Sequence, residues 1–429
     1  MIKNRKFFYL FLSQTISSFG DFFGLLAIEW LVYEMTGSLL LMGSILTAMG
    51  VTQLVVGFLG GPLIDRVNRY HLMYCLDILS FIAIGMPALL GFLGYLEIWH
   101  LFIAIILLGA SSALLKPTGM AVLPEIINDK DELVRANSML SIGTSSAVVI
   151  GPGLAGATIK YFGASQSLAI DAISFLFSAF LISLLARKVR KEPNDKPRQQ
   201  NVAKVNGSTT KKYFSELIDG LKFFLIAPYL LVIMIMVSLR NMSALAVAAI
   251  TLPYGLEILH VDALGVGLLS SSSTIGILVG SSLLIYIGDV KNRRIPMLGS
   301  VCLGGILYLS LAFISSFWLA IIVFFFLGMT GPFFGSFSST IYAQVVPNQY
   351  LGRVMSARLL VGGSLQPVGS YLGGALSHLY GIPFLLFFIG FIPALAGFVG
   401  YFLPVTKKID GELKEIEIDK VDAQKGIGI

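Results

Sequence analysis

From Tyr9 onward the chain alternates between long apolar runs and short polar breaks, and the runs are too long and unbroken for strands. Windows of about 20 apolar residues, the length an α-helix needs to cross a bilayer core, predict twelve spans. They cover residues 9–33, 39–63, 72–95, 99–123, 137–160, 165–186, 229–256, 263–288, 297–315, 317–343, 354–380 and 382–403. Only helices and closed barrels satisfy their backbone groups in lipid, and no period-two alternation marks a barrel, so the pattern predicts an all-α membrane protein. The first run follows a basic start, MIKNRK, but continues through Val32 with no small-x-small cleavage site. It therefore reads as an uncleaved helix rather than a leader.

The polar breaks organise these spans. The longest, Arg187 to Lys212, is basic, rich in Pro, Asn and Gln, and poor in apolar residues, the composition of a linker. It separates an N-terminal six-helix bundle, 1–186, from a second part, 213–403, followed by a charged tail, 404–429. Tyr213 to Phe224 reads as an amphipathic helix at the membrane interface before span seven. With an even number of crossings, 27 of the 30 Lys and Arg residues fall on one side. The positive-inside rule then places both termini and the linker in the cytoplasm of a cell, with the spans in its plasma membrane.

The halves also repeat. Asp65 in DRVNRYH and Asp289 in DVKNRRI lie 224 residues apart, Pro124 and Pro347 lie 223 apart, and Pro152 and Pro367 lie 215 apart. A duplicated unit of six crossings keeps its orientation, so the copies are expected to be related by a pseudo-two-fold axis along the membrane normal.

Composition agrees: 56% of residues are hydrophobic, 13% are charged, and mean hydropathy is +0.84. The net charge of +6 follows from the topology signal, so no nucleic-acid partner is implied. Cys75 and Cys302 are both in apolar segments, with no Cys/His cluster nearby, which suggests neither a disulfide framework nor a metal. No GxxxxGK[ST] loop, HExxH or convincing Ser/His/Asp set occurs, and the four histidines are scattered. The sequence thus calls for no cofactor and no enzyme activity. It is read as a monomer in contact with membrane lipid.

GPLIDRVNR, Gly61 to Arg69, lies in the short turn after span two. Gly61 permits close helix packing, and Asp65, Arg66 and Arg69 can form charge-assisted bonds to neighbouring helix ends as a latch; the alternative is a topology anchor with exposed charges. Asp289 and Arg293 occupy the second copy. The stretch resembles the loop motif of the major facilitator superfamily, G-x-L-x-D-R-x-G-R-R/K. Asn68 stands at the later Gly and is expected to take its left-handed backbone, while Tyr70 stands at a base.

More of the chain resembles the drug–proton antiporter branch, which includes macrolide efflux proteins and siderophore exporters: TGSLLLMGSI, LPEIINDKDELVRANSML, AIDAISFLFSAFL and YAQVVPNQYLGRVMSA. IGPGLAG is similar to the antiporter motif of span five, with Gly151, Pro152 and Gly156 at matching places and Ala147 and Ala155 as small replacements. A Pro-kinked helix with a smooth face would pack and slide against span eight; an ordinary kink is the plainer account. Pro367 marks a second kink, in span eleven. The resemblance implies alternating-access transport, with protons exchanged for a small-molecule substrate.

Five ionisable residues fall well inside the spans: Asp21, Glu29, Lys116, Asp171 and Arg240. Such residues face a bundle interior or a wet cavity and mark substrate or proton paths, or else structural ion pairs. Gln14, Ser17, Asp21 and Gly24 recur at three- to four-residue steps and share one face of span one, so Asp21 is the leading proton carrier. Lys116 and Arg240 can neutralise it or hold an anionic substrate. Phe22, Phe23, Trp30, Phe175, Phe334 and Phe337 are aromatic cavity candidates, each with packing or lipid contact as the alternative. The reading is proton-coupled efflux of a bulky amphipathic compound such as a drug or macrolide. Behind it stand a carrier for one physiological solute, such as a siderophore or lipid-like metabolite, and a non-transporting sensor or scaffold.

Overall fold

The computed structural model describes residues 4–127, 129–190, 218, 220–224, 227–288, 290–411, 413 and 416, and all its long elements are helices. They are α1 (Arg5–Thr36), α2 (Leu39–Arg66), α3 (Arg69–Leu93), α4 (Ile98–Ile126), α5 (Lys130–Phe162), α6 (Ala164–Arg190), α7 (Pro228–Pro253), α8 (Ala263–Ile287), α9 (Arg294–Leu311), α10 (Phe317–Val345), α11 (Asn348–Ser364), α12 (Gln366–Tyr380) and α13 (Ile382–Phe402). A π turn, Tyr254–Ile258, extends α7, and a 3₁₀ turn, Pro404–Ile409, follows α13. Among the described residues eleven helices are long and apolar enough to cross a membrane. Most of the predicted linker, and Tyr213 to Leu217 of the predicted interfacial helix, lie outside the described residues; 218 and 220–224 are helical.

Local chemistry sets the helix ends. Asn4 caps α1 by accepting from the backbone N–H of Lys6 and Phe7, and Gly37, at φ 59°, ends it. Ser38 caps α2 through Leu41 N. Asn68 caps α3 through His71 N at 3.0 Å. Its φ of −65° and ψ of 114° are extended, so the left-handed backbone expected there is not adopted: the residue that replaces the motif glycine starts the next helix instead. Asp129 caps α5 through Glu132 N at 2.9 Å. That cap starts α5 seven residues before the predicted span, because the polar turns DELVRAN are helical and mostly exposed, with Ala136 buried, yet invisible to a hydropathy window.

Predicted span eleven is two helices. α11 ends at Ser364 and α12 begins at Gln366, with Pro367 in its first turn. Proline has no N–H to offer the preceding turn and its ring crowds that turn's carbonyl, so the continuous helix stops and restarts there. Other prolines, including Pro87, Pro117, Pro152 and Pro332, sit inside unbroken helices.

The chain forms two compact units. One holds Met1–Gln200 with Ala249–Ser271, the other Asn201–Ala248 with Ser272–Ile429. In the first, α1 packs mainly on α6 and α5, α3 on α6 and α4, and α2 on α4. Its largest cluster joins Ile28 and Val32, Met42 and Ile45, Leu101 and Ile105, Leu168 and Phe175, and reaches Leu252 and Val266. A second cluster gathers Phe7, Leu10, Met73, Val122 and Ile182. In the second unit, α9 packs on α13 and α10. Lipid supplies no hydrophobic drive for helices to associate, so close backbone approach must do so. At the α9–α13 seam a Cβ on Gly305 would lie 2.6 Å from the Gly390 carbonyl oxygen, and one on Gly390 would lie 2.6 Å from that of Gly305.

Gly390→Val is therefore expected to prise this seam apart and cost about 1–3 kcal/mol, as overpacking does. Gly299, where an added Cβ meets nothing within 4 Å, is expected to tolerate Ala. Melting of the purified protein in detergent checks the pair; equal melting of both variants would show that the seam is not held by backbone contact.

Candidate functional site

The first unit brings the acids of three helices together. α1 and α6 approach so closely that the Asp171 carboxylate fills the groove over Gly20 and Gly24; a Cβ on Gly20 would lie 2.6 Å from Asp171 Oδ1, and one on Gly24 would collide with Oδ2. Asp171 is 1% exposed. Ser174 Oγ donates to the Asp171 backbone carbonyl at 2.8 Å and more weakly to Oδ1 at 3.4 Å. One further turn along α6, Ser178 Oγ donates to Asp77 Oδ2 of α3 at 2.7 Å. Ser167 Oγ, on the same stripe, donates to the Phe23 carbonyl at 2.9 Å. Ser167, Asp171, Ser174 and Ser178 thus form one buried polar edge along α6.

Asp21 differs from its neighbours. It is ringed by protein atoms yet exposed to solvent, so it lines an opening rather than packing into a seam. Lys116 of α4 interacts with it electrostatically, as do Asp171 and Asp77. Gln14 turns to α4, where a Cβ on Gly119 would collide with its amide nitrogen, and Ser17 is buried. The shared face predicted for α1 is therefore divided: Asp21 looks into the opening, Gly24 meets α6 and Gln14 meets α4. Glu29 is half-buried, eight residues further along α1.

Sequence reasoning missed Asp77. It lies only eight residues from the start of α3, close enough to the predicted span end to pass for a boundary charge. The signal was an acid between apolar neighbours in CLDIL. Among the described residues no His, Cys, Asp and Glu group has the arrangement to hold a metal ion.

In the second unit, Arg240 of α7 is half-buried, interacts with Tyr308 of α9, and places Nη2 2.9 Å from where a Cβ on Gly331 of α10 would sit. Its neighbour Asn241 donates to the Gly362 carbonyl at 2.9 Å. Phe334 and Phe337 are buried within this unit, Phe23 and Phe175 within the first. Trp30 packs on the first unit's core, and Phe22 lies over Gly151 of α5.

Arg69 of the loop motif forms an ion pair with Glu125, at the end of α4, at 2.6 Å, and Arg66 is exposed. Nothing is described of the side chains at Gly61 and Asp65, and Asp289 lies outside the described residues. In the second copy Arg293 is buried and donates to the Gly411 carbonyl at 3.1 Å. Arg294 donates its backbone N–H to Asp410 at 2.9 Å, its guanidinium forms an ion pair with the same carboxylate at 3.4 Å, and it stacks on Tyr401.

The small residues of IGPGLAG meet α8. Gly153 N–H donates to Ser271 Oγ at 3.2 Å, a Cβ on Gly156 would collide with the Ala263 carbonyl, and one on Gly267 would collide with the Pro152 carbonyl. The same end of the unit carries two polar ties: Lys160 pairs with Asp262 at 2.8 Å, and Tyr33 O–H donates to Glu257 at 2.6 Å.

These helices and motifs match a known family over almost their whole length. Residues 2–423 fit the family described as transmembrane secretion effector, MFS_3. The chain belongs to that family. It is a multi-pass membrane protein of the major facilitator superfamily, a family of transporters rather than enzymes. The multidrug efflux pump Tap of Mycolicibacterium fortuitum is 22% identical over 91% of this chain and 94% of its own. Macrolide efflux protein A of Streptococcus pyogenes is 19% identical over 88% of this chain and 90% of its own. The chain spans about half the length of two uncharacterized Bacillus subtilis transporters, YvqJ and YfiS: 43% and 52%, at 27% and 26% identity over 42% and 54% of this chain. A crystal structure of the peptide transporter POT in complex with sulfate superposes with a TM-score of 0.71 at 13% identity, covering 95% of each chain, which shows the fold.

The Lys160–Asp262 tie gives a pH test. Its hydrogen bond from the ammonium, with help from the Gly265 N–H, holds the Asp262 carboxyl below its ordinary value. A depressed pKa contributes stability above the unfolded value, about 3.9 for Asp, and that contribution is lost as pH falls through the folded value. Asp262→Asn is expected to lower the melting temperature at neutral pH, with the gap to the parent closing below about pH 3.9. A gap that stays constant would assign the effect to something other than this pair.

Proposed function

We propose that this transporter exports a bulky amphipathic compound, such as a drug or macrolide, in exchange for protons, with Asp21 as the group that loads and unloads the proton. The observation that carries the reading is Asp21 itself: a carboxylate midway along a membrane helix, open to solvent inside a ring of protein, faced by one cation and two buried acids. A charge at such depth costs roughly 2.5–3.5 kcal/mol on insertion scales, which a mere packing position does not repay. A carboxyl that trades its proton with each side in turn gives alternating access its coupling. One proton falling through 100 mV supplies about 2.3 kcal/mol, enough for roughly a fifty-fold substrate gradient.

The efflux direction and substrate class rest on the pumps named above, and the cytoplasmic placement of Asn4, Arg69 and the linker rests on the basic residues. In this reading 1–186 and 213–403 are the two moving bundles of one monomer in the plasma membrane, 187–212 joins them and 404–429 is a cytoplasmic tail. The Arg69–Glu125 pair closes the cytoplasmic end of the first bundle.

The test is uptake into proteoliposomes under an imposed pH gradient, with erythromycin and ethidium as probes. Asp21→Asn is expected to abolish gradient-driven uptake, because an amide cannot load and unload the proton, while probe exchange without a gradient persists. Full gradient-driven uptake by Asp21→Asn would remove the residue from the coupling role. Uptake confined to one siderophore or lipid-like metabolite would replace the broad substrate class with a single solute.

A further inference from the structure

Asp77 lies in the first unit and faces Asp21, but the mechanism above gives it no proton to carry. It is 0% exposed. Ser178 satisfies Oδ2, while Oδ1 is buried with no hydrogen-bond partner among the described residues, as is Oδ2 of Asp171. Breaking or omitting the partner of a buried charge costs several kcal/mol, and among the described residues no cation pairs with either acid. Among the described residues, the groups that bear on Asp77 are Ser178 from α6 and Asp21 from α1. A packed core would hold a leucine here at no such cost. Each buried acid instead keeps one oxygen vacant, where a proton can sit.

Asp77 is also offset in depth from the other two acids. Asp77 is eight residues, about 12 Å, from the start of α3. Asp21 is sixteen residues from the start of α1, which lies at the same end of the unit, and Asp171 is seven residues from the opposite end, where α6 begins. Asp171, over Gly20 and Gly24, is level with Asp21, and the Ser174 and Ser178 hydroxyls lie between it and Asp77.

We propose that Asp77 is a second proton-exchanging group of this transporter, receiving the proton that Asp21 gives up; the inference rests on the proton-coupled reading. In the transfer the O–H bond of a protonated Asp21 breaks and its proton passes through water, which reaches Asp21. An O–H bond forms at Oδ1 of ionised Asp77. The negative charge thereby moves to Asp21, where Lys116 faces it. In the ionised state of Asp77 the Ser178 hydroxyl holds the anion, and release toward the start of α3 completes the passage.

Infrared difference spectra test this on the full chain in phospholipid vesicles, as the buffer alternates between mildly acidic and mildly alkaline. The parent should show a protonated-carboxyl band that Asp77→Asn removes, that Asp21→Asn shifts, and that Ser178→Ala shifts while keeping it. The last variant retains the carboxyl and serves if Asp77→Asn fails to fold. An unchanged carboxyl region in Asp77→Asn, or a band indifferent to both Asp21→Asn and Ser178→Ala, overturns the proposal.

Proton movement accompanying erythromycin gives the second readout. Asp77→Asn should abolish it, because an amide cannot take up the proton, with erythromycin exchange retained. A parent that carries erythromycin without protons overturns both readings. A parent that couples them, beside an Asp77→Asn variant that couples equally well, overturns this inference alone.

Discussion

The structure depends on what lipid withholds. Water drives soluble helices together by expelling apolar surface, but hydrocarbon does not, so these helices hold by backbone approach and by polar bonds that have nowhere else to go. The α1–α6 seam uses both. Gly20 and Gly24 let two helices come close enough that the Asp171 carboxylate becomes part of the packing, and Ser167 and Ser178 extend polar bonding from α6 to α1 and α3. The surface carries the complement: Tyr286, Ile285, Met120 and Trp318 are among the most exposed apolar side chains, as a bilayer-facing surface requires.

This economy explains why acids can be held in the seam without cations. Hydroxyls supply a hydrogen bond without a charge, so a carboxyl beside them can change its protonation without tearing an ion pair. The cations are placed differently. Lys116 is exposed beside Asp21, and Arg240 is half-buried among aromatic and small residues of the second unit. Direct ion pairs appear nearer helix ends, at Arg69–Glu125, Lys160–Asp262 and Arg294–Asp410, where solvent lowers the cost of parting them.

The sequence made the helices legible because an unbroken apolar run of about twenty residues has few other solutions. Pro367 was legible as a kink in span eleven, but that the helix stops at Ser364 and restarts at Gln366 was not, since a helix proline bends or breaks its helix according to backbone geometry. Asn68 was misread because motif logic assigned it the job of an absent glycine, whereas capping chemistry gave it another. Asp21 and Asp171 were visible as acids deep in apolar runs. Their grouping with Asp77 was not, because residues 21, 77 and 171 meet only through tertiary packing, and no spacing rule reports which helix faces which. The same holds for Glu125 opposite Arg69: the partner sits in a motif already singled out, with nothing in the letters to join the two.

The second loop motif has one consequence for how the chain can be handled. Arg293 donates to Gly411 and Arg294 pairs with Asp410, and between them and α13 the side chains of Thr406 and Ile409 are buried. The stretch just after the last helix is thus a structural brace and not a dispensable end. A truncation or fusion junction cut at Pro404 strips two arginines of their acceptors and empties two buried positions. One placed beyond Gly411 leaves the brace whole.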